Sequence, residues 1–190
     1  RCSRDWSSDV CSSDLDVRLP ENIRKHFATP LETTFVCGAG ESLIKPGSIF
    51  LDAEGSFASA VAGELPDPCM VETTVSFNAA TRDFGLLLRL AGDGDHAYYI
   101  RLQPNEQQVC FDAWLWDMGR PRIVELRRPV RLIPGEPVLV RVLLAGSVCE
   151  IYVNEQTALS TRVYQLPKGK WGVYVQEGSA TFNNPVVYKP

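Results

Sequence analysis

Residues 146–154 read GSVCEIYVN and residues 158–164 read ALSTRVY, and these two stretches decide the fold predicted for this chain. Both alternate in polarity with a period of two, which is typical of β-strands whose two faces differ. The first stretch has one mostly apolar row and one mixed polar row: Ser147, Cys149, Ile151 and Val153 against Val148, Glu150, Tyr152 and Asn154. The two stretches therefore predict a β-hairpin that turns at residues 154–156, with one buried face and one contact face.

The same alternation recurs along most of the chain, between turns that carry glycine and proline. Such turn signals stand at residues 46–47, 134–135 and 167–169. The predicted strands are 33–37, 48–52, 57–62, 69–78, 83–91, 96–103, 107–116, 122–127, 137–144, 147–154, 157–163, 171–176 and 179–188. Many short strands at this spacing predict an all-β domain, a two-sheet antiparallel β-sandwich in which each sheet buries one face against the other.

Each predicted strand can be divided into an inner and an outer row, because successive side chains of a strand point to opposite faces. The inner rows are apolar and form the predicted core: Val71, Thr73, Val75, Phe77, Phe84, Leu86, Leu88, Leu90, Tyr98, Ile100, Leu102, Val109, Phe111, Val138, Val140, Val142, Leu144, Trp171, Val173 and Val175. Burial of each large apolar side chain contributes about 1.5–3 kcal/mol, so these rows suffice for one full core.

The outer rows combine aromatic rings, arginines and carboxylates. This composition favours a contact surface over a face that is only solvated. The candidate contact residues are Arg89, Tyr99, Arg101, Asp112, Trp114, Trp116, Glu150, Tyr152 and Arg162. We expect Glu72, Asp112 and Glu150 to approach one another on this surface, with arginines as their ion-pair partners. Carboxylates in such pairs are not poised as proton donors.

The beginning of the chain differs from the rest. Residues 1–15 contain DWSSDVCSSDL, which resembles the translation of a sequencing adapter, so we expect a non-native tail and a gene truncated before Asp16. Residues 16–32 are polar, with prolines at positions 20 and 30, and are predicted to form a linker with at most one short helical turn. The β-sandwich is predicted to occupy residues 33–190.

Composition excludes several classes of partner. A net charge of −4 gives no electrostatic reason to bind nucleic acid or an anionic membrane surface. No apolar run approaches the ~20 residues that span a bilayer, which indicates a soluble chain without a membrane partner. Cys37, Cys69, Cys110 and Cys149 lie far apart in sequence and are expected to be buried free thiols. Cysteines that stay free thiols favour a cytosolic origin, and a secreted origin is the alternative.

Neither a metal nor a cofactor is predicted. The chain has two histidines and no Cys-x-x-Cys pair, which argues against a zinc site. Residues 92–95 read GDGD and could ligate calcium through their carboxylates, but a hairpin turn explains them equally well.

Several segments resemble, in order, the C-terminal β-sandwich of glycoside hydrolase family 32, the invertase, levanase and inulinase group. They are residues 19–23, 84–89, 98–102, 109–114, 132–137, 146–164 and 171–180. The resemblance implies a concanavalin A-like sandwich of the lectin and glucanase jelly-roll type. It also implies a partner, a five-bladed catalytic propeller upstream in the same protein. Members usually have Asp before the Gly-Ser of the hairpin, but Ala145 stands here, so Gly146 and Ser147 are expected to form this turn alone.

The catalytic motifs of that family are absent from this chain. The family's propeller carries Asn-Asp-Pro, Arg-Asp-Pro and Glu-Cys stretches. Here Asp67-Pro68 follows proline, Arg82-Asp83 precedes Phe84, and Cys149-Glu150 has the reverse order. The chain alone is therefore expected not to be an enzyme. Its parent is expected to hydrolyse O-glycosyl bonds, of β-fructosides or, as in the related families 43 and 68, of other sugars.

Three functions remain open from the sequence. The first is a non-catalytic accessory module whose outer rows pack on the propeller. The second is a carbohydrate-binding, lectin-like module in which Tyr99, Trp114, Trp116 or Tyr152 stacks on sugar rings of an oligosaccharide. The third is a lectin-like or laminin-type interaction domain of a larger surface protein.

Overall fold

The computed structural model describes residues 17–92, 94, 96–117, 120–122 and 125–190, with the side chains of all but 114–117, 120–122 and 125. The predicted adapter-derived tail lies outside the described residues, and so do Asp93 and Asp95 of the turn considered for calcium. No helix in the described part is long and apolar enough to cross a membrane.

One short helix precedes a series of strands. The helix is α1 (Glu21–His26). The strands are β1 (Thr29–Leu31), β2 (Val36–Ala39), β3 (Glu41–Lys45), β4 (Ser48–Asp52), β5 (Phe57–Glu64), β6 (Cys69–Phe77), β7 (Asp83–Leu90), β8 (Ala97–Gln103), β9 (Gln108–Asp117), β10 (Arg120–Arg122), β11 (Glu125–Pro129), β12 (Val138–Ala145), β13 (Val148–Val153), β14 (Thr157–Arg162), β15 (Lys170–Gln176) and β16 (Ser179–Lys189).

These strands form two antiparallel sheets that pack face to face. Sheet A has the order β14-β13-β12-β6-β16-β4-β3, with β1 paired to β16. Sheet B has the order β10-β9-β8-β7-β15-β5-β2, with β11 paired to β9. The predicted fold class is confirmed: an all-β, two-sheet antiparallel sandwich of the concanavalin A-like type.

The space between the sheets is filled by the predicted inner rows, and every predicted core residue is buried. Trp171, Tyr98 and Phe84 are among the largest side chains that are completely enclosed. The hairpin predicted from residues 146–164 is β13–β14, and its inner residues Cys149 and Ile151 are fully buried. Asn154 and Glu155 in its turn both have positive φ, as a tight hairpin requires.

Edge strands differ most from the sequence prediction. In place of a strand over residues 33–37, the chain forms β1 and β2 on different sheets, and β3 was not predicted at all. The predicted strand over residues 122–127 is replaced by β10 and β11. Edge strands pack on few neighbours, so their sequences carry a weaker alternation than those of central strands.

Residues 17–32, predicted as a linker, contain α1 and β1 and pack on the outer face of sheet A. Leu19 and Phe27 from this segment form a second apolar cluster with Met70 of β6. Arg18 Nε lies 3.5 Å from Glu155 Oε2, so the segment also contacts the turn of the β13–β14 hairpin. This segment, which we call the N-terminal strap, covers part of sheet A.

The cysteines divide into a buried group and an exposed one. Cys69, Cys110 and Cys149 are buried free thiols, as predicted, whereas Cys37 is exposed on the edge strand β2. Burial raises the pKa of the thiols of Cys69 and Cys149 to about 12, so both stay protonated at neutral pH.

The N-terminal strap is expected to stabilise the domain. Phe27→Ala removes a ring that is 6% exposed and should lower the free energy of unfolding by about 3 kcal/mol. Phe50→Ala is the matched control, because its ring is 37% exposed on sheet A and should cost much less. Urea denaturation of both variants measures the difference. Equal losses would contradict a stabilising role for the strap.

Candidate functional site

The predicted contact residues lie on two different outer faces. Glu150, Tyr152 and Arg162 belong to sheet A, whereas Tyr99, Arg101 and Asp112 belong to sheet B. The expectation that Asp112 approaches Glu72 and Glu150 is therefore wrong, because the core separates them. Sequence periodicity assigns a residue to an outer face but does not say which sheet carries its strand.

The outer face of sheet B has a groove with a volume of about 580 Å³. It crosses β8, β9 and β15 and is bounded by the loop before β5. Its lining residues are Gly55, Ser56, Phe57, Tyr99, Arg101, Asp112, Tyr174, Gln176 and Glu177. The structure thus brings three of the nine predicted site residues together here, and adds Phe57 and Tyr174.

The guanidinium of Arg101 holds the floor of the groove together. Its Nε donates to Asp83 Oδ2 at 2.7 Å, and its Nη2 donates to the same oxygen at 2.5 Å. Its Nη1 donates to Asp112 Oδ2 at 2.5 Å. Both carboxylates are nearly inaccessible, with side chains 5% exposed, while the Arg101 side chain is 30% exposed. One cation therefore neutralises two buried acids and still faces the groove.

Side chains of two other strands also donate hydrogen bonds to Asp83. Tyr174 Oη donates to Asp83 Oδ1 at 2.8 Å, and Gln103 Nε2 donates to Asp83 Oδ2 at 3.3 Å. Gly85 is paired with both Tyr174 and Arg101, and a Cβ at this position would collide with the carbonyl oxygen of Ile100. Only glycine allows β7 to lie this close to the backbone of β8.

Burial and hydrogen bonding change the pKa values of Asp83, Arg101 and Tyr174, and for Asp83 and Arg101 the two effects oppose each other. Burial raises the pKa of the Asp83 carboxyl, although its bonds to Arg101 and Tyr174 oppose the rise. Burial also raises the pKa of the Tyr174 phenol well above its usual value, so that it remains a donor to Asp83. Burial alone would lower the pKa of Arg101, but its bonds to Asp83 and Asp112 raise it, and the guanidinium stays charged.

One polar atom at this site has no partner. Asp112 is 3% exposed, its Oδ2 accepts from Arg101, and its Oδ1 is buried without a hydrogen bond among the described residues. A carboxylate oxygen left in this state costs free energy, so each such atom in a native structure needs an explanation. The atom is also inaccessible to solvent, although other atoms of Asp112 line the groove.

Aromatic rings form one wall of the groove. Phe57 stacks on Tyr174 with ring centroids 5.6 Å apart, and Tyr99 meets Tyr174 edge to face at 5.3 Å. Phe57 and Tyr99 are half-buried, so their rings are fixed but partly open to the groove. Trp114 continues β9 two residues beyond Asp112, but the side chains of Trp114 and Trp116 lie outside the described part.

Arg89 does not lie on this surface, contrary to the prediction. It is 4% exposed and has φ of 52°, opposite a register shift in β15. Such an irregularity re-aims a side chain, so the simple alternation used for the prediction fails here. Arg89 Nη2 donates to the carbonyl oxygen of Gly146 at 2.6 Å, and its Nη1 donates to that of Leu166 at 3.1 Å.

The turn that opens the β12–β13 hairpin is held by distant residues. Asp67 Oδ1 accepts a hydrogen bond from the backbone N–H of Gly146 at 2.8 Å, while Arg89 binds the carbonyl of the same glycine. The expectation that Gly146 and Ser147 form this turn alone is therefore wrong. Asp67 lies 79 positions away in sequence and supplies the carboxylate that Ala145 lacks.

The predicted residues of sheet A have structural partners. Glu150 accepts from Tyr152 Oη at 2.7 Å, so the expected arginine partners of Glu150 are replaced by a phenol. Tyr152 packs against the apolar cluster beneath the N-terminal strap. Arg162 is exposed, and its Nη1 donates to Ser147 Oγ at 3.4 Å. None of these three lines the groove on sheet B.

Sequence reasoning missed the carboxylate at the centre of the site. Asp83 begins β7, in agreement with the strand predicted over residues 83–91, but it was not among the predicted contact residues. Alternation placed Tyr174 among the outer residues, but nothing local indicated that it meets Asp83 across the sheet. The part of the chain that the structure describes holds no cluster of three His, Cys, Asp or Glu residues able to bind a metal.

Removal of the shared cation should destabilise the fold. Arg101→Gln leaves Asp83 and Asp112 without their charge partner and is expected to lower the free energy of unfolding by about 3 kcal/mol at neutral pH. Burial raises the pKa of Asp83 and Arg101 opposes this rise, so removal of Arg101 should raise that pKa further, and the loss should shrink as falling pH protonates Asp83 in the variant.

Urea denaturation at several pH values measures this dependence. Arg82→Gln is the control, since Arg82 pairs with Glu177 in an exposed ion pair at 2.9 Å and its loss should leave the midpoint unchanged. A deficit for Arg101→Gln that does not vary with pH would contradict the proposed charge balance.

The chain is similar to known proteins both in sequence family and in structure. The family model "Glycosyl hydrolases family 32 C terminal" matches residues 52–189. No curated protein matches the chain. The carbohydrate-binding module CBM66 from Bacillus subtilis is similar in structure, with a TM-score of 0.70 and 12% identity over 82% of this chain and 95% of that one.

Two larger proteins contain a similar sandwich. A fructosyltransferase from A. japonicus has a TM-score of 0.61 and 17% identity over 83% of this chain. A β-fructofuranosidase from Aspergillus kawachii has a TM-score of 0.58 and 15% identity over 80% of it. This chain spans only 26% and 28% of their lengths. At such identities the likeness shows a shared fold, but the family model covers most of the sequence, and the chain belongs to the glycoside hydrolase family 32 C-terminal domain family.

Proposed function

We propose that this chain is a non-catalytic accessory module of a glycoside hydrolase whose hydrolytic residues lie in a separate domain. Membership of the family of C-terminal domains supports this function. The observation that carries this function is an ion-pair arrangement at the groove: the carboxylates of Asp83 and Asp112 share the single guanidinium of Arg101.

Glycoside hydrolysis needs two carboxyl groups with different tasks, one that attacks or activates water and one that donates a proton. Asp83 accepts from Arg101, Tyr174 and Gln103, so its oxygens are already occupied. Asp112 is bonded through Oδ2 to the same arginine. Neither group is a free proton donor that faces the groove, and the arrangement suits recognition better than bond cleavage.

The partner of such a module is a catalytic domain of the same protein. The structurally similar enzymes are about four times as long as the matched sandwich, which supports a parent with a further domain. By analogy with these enzymes, we propose a β-fructosidase-like parent. Packing against its five-bladed propeller is the role that the family resemblance supports.

The purified chain is expected to fold and to hydrolyse neither sucrose nor fructan. Release of reducing sugar over a long incubation, with an active β-fructofuranosidase as positive control, measures this activity. Asp112→Asn serves as the control for trace turnover, since turnover that disappears in this variant would arise from the groove. Turnover of that kind would contradict the accessory role.

A second candidate function is carbohydrate binding at the groove on sheet B. The specific observation in its favour is the combination of two half-buried rings, Phe57 and Tyr99, with the partly exposed guanidinium of Arg101 in one concavity. Sugar sites commonly combine an apolar ring face with a few fixed polar groups. The similarity to a carbohydrate-binding module agrees with this function, although it demonstrates only the fold.

Calorimetric titration with fructan and xylan oligosaccharides tests sugar binding. Tyr99→Ala should weaken the binding of a responding sugar by at least about tenfold, because the ring forms part of the groove wall. Tyr164→Ala is the matched control, since Tyr164 is 68% exposed, does not line the groove and should leave affinity unchanged. Absence of heat at millimolar concentrations of every sugar would exclude this second function.

A further inference from the structure

We infer that β3, an edge strand of sheet A, pairs antiparallel with β3 of a second copy of this chain, about a two-fold axis at Leu43. The pairing joins sheet A of both copies into one continuous sheet. Such a dimer goes beyond the functions proposed above and does not involve the groove on sheet B. Three features of β3 support it: an open edge, the register that its hairpin imposes, and the charges at its two ends.

The outer edge of β3 is open and regular. Among the described strands, β3 pairs with β4 alone and ends the strand order of sheet A. A strand in this position presents unpaired N–H and C=O groups, on which another strand can form hydrogen bonds. Residues 41–45 read ESLIK, without proline or glycine, and pair with β4 without a register shift. The edge strand β2 of sheet B, in contrast, has a register shift between Cys37 and Ala39.

The β3–β4 hairpin determines which backbone groups face this open edge. Lys45 pairs with Ser48 across a two-residue turn, and such a turn closes on two residues that exchange backbone hydrogen bonds. Bonded pairs alternate along an antiparallel ladder, so the N–H and C=O groups of Ser42 and Ile44 point away from β4. In a symmetric pair of β3 strands, Ser42 of one copy therefore exchanges hydrogen bonds with Ile44 of the other. This register places Leu43 opposite Leu43.

The charges of β3 fit the same register. The side chains of Glu41, Leu43 and Lys45 are exposed on the outer face of sheet A, whereas Ile44 packs against the main core. A charge on an edge strand opposes pairing unless the incoming strand carries the opposite charge in the facing position. In a pair centred on Leu43, Glu41 of each copy lies opposite Lys45 of the other, and the two-fold axis generates this attraction twice. The strand is therefore complementary to itself.

The other edge strand of sheet A does not share these features. β14 reads TALSTR and has a single charged residue, Arg162, so two antiparallel copies of β14 bring no opposite charges together. β3 also has an apolar side chain at the axis, since Leu43 is 52% exposed. In the dimer Leu43 contacts its own copy, and this contact removes apolar surface from water.

Sedimentation velocity of the intact chain at neutral pH and low salt tests the dimer. A five-residue strand pair is short compared with ordinary interfaces, so we expect a weak dimer that forms between about 1 and about 500 µM. Glu41→Lys and Lys45→Glu should each weaken the dimer at least about tenfold, because each variant places like charges opposite each other twice. Glu136→Lys is the matched control, since Glu136 is exposed in the loop before β12, with β6, β16 and β4 between that strand and β3.

A mixture of the two variants tests the register. In an equimolar mixture of Glu41→Lys and Lys45→Glu chains, every lysine faces a glutamate, so a heterodimer should form although neither variant dimerises well alone. A chain that stays monomeric at all concentrations would overturn the inference. A dimer that neither charge reversal weakens, or a mixture that stays monomeric, would overturn pairing through β3.

A disulfide provides a second test of the axis. Facing residues that exchange no backbone hydrogen bonds have Cα atoms about 4.5 Å apart, within the range that a disulfide bridges. In a chain carrying Cys2→Ser, Cys11→Ser and Cys37→Ser, Leu43→Cys should therefore cross-link two copies during copper–phenanthroline oxidation, as a dimer band in non-reducing electrophoresis. Asp52→Cys is the control, since Asp52 is exposed on β4 and lies one strand further from the edge. Equal cross-linking of the two variants, or none in the Leu43→Cys variant, would overturn an axis at Leu43.

Discussion

Burial of one face of each sheet against the other is the constraint on which this structure depends. A strand has only two faces, so a chain that gives its inner rows to the core must place every charged residue on an outer row. Sheet B places Tyr99, Arg101 and Asp112 side by side in this way, on strands that are neighbours in space. The outer groove is thus a consequence of the same alternation that forms the core.

The charge balance in this groove supports the proposed non-catalytic role. A single guanidinium that joins two buried carboxylates fixes all three groups and leaves little freedom for proton transfer. The same rigidity favours binding, since groups that are already oriented lose little freedom when a ligand arrives. The proposed non-catalytic role is compatible with a polar, aromatic groove of this kind.

The hairpin turn at Gly146 shows how a local signal can be replaced by distant residues. The family resemblance predicts Asp beside the turn, but this chain has Ala145, and Asp67 and Arg89 bind the backbone of Gly146 from other parts of the fold. Both residues are far from the turn in sequence, and the side chain of Arg89 is buried only because β7 is irregular at that point. The turn is therefore stable only in the folded domain, since isolated hairpin residues could not recruit these partners.

The sequence by itself determined the all-β class, the central strands, the membership of the core and the composition of the outer rows. These features follow from a period of two, which each strand expresses locally. Only the tertiary structure decided which outer residues meet. Asp112 and Glu150 belong to different sheets, Asp83 joins Arg101 across β7 and β8, and Arg89 leaves the surface altogether. The physical reason is that strand order, register and irregularities arise from contacts between residues distant in sequence, and no local pattern contains that information.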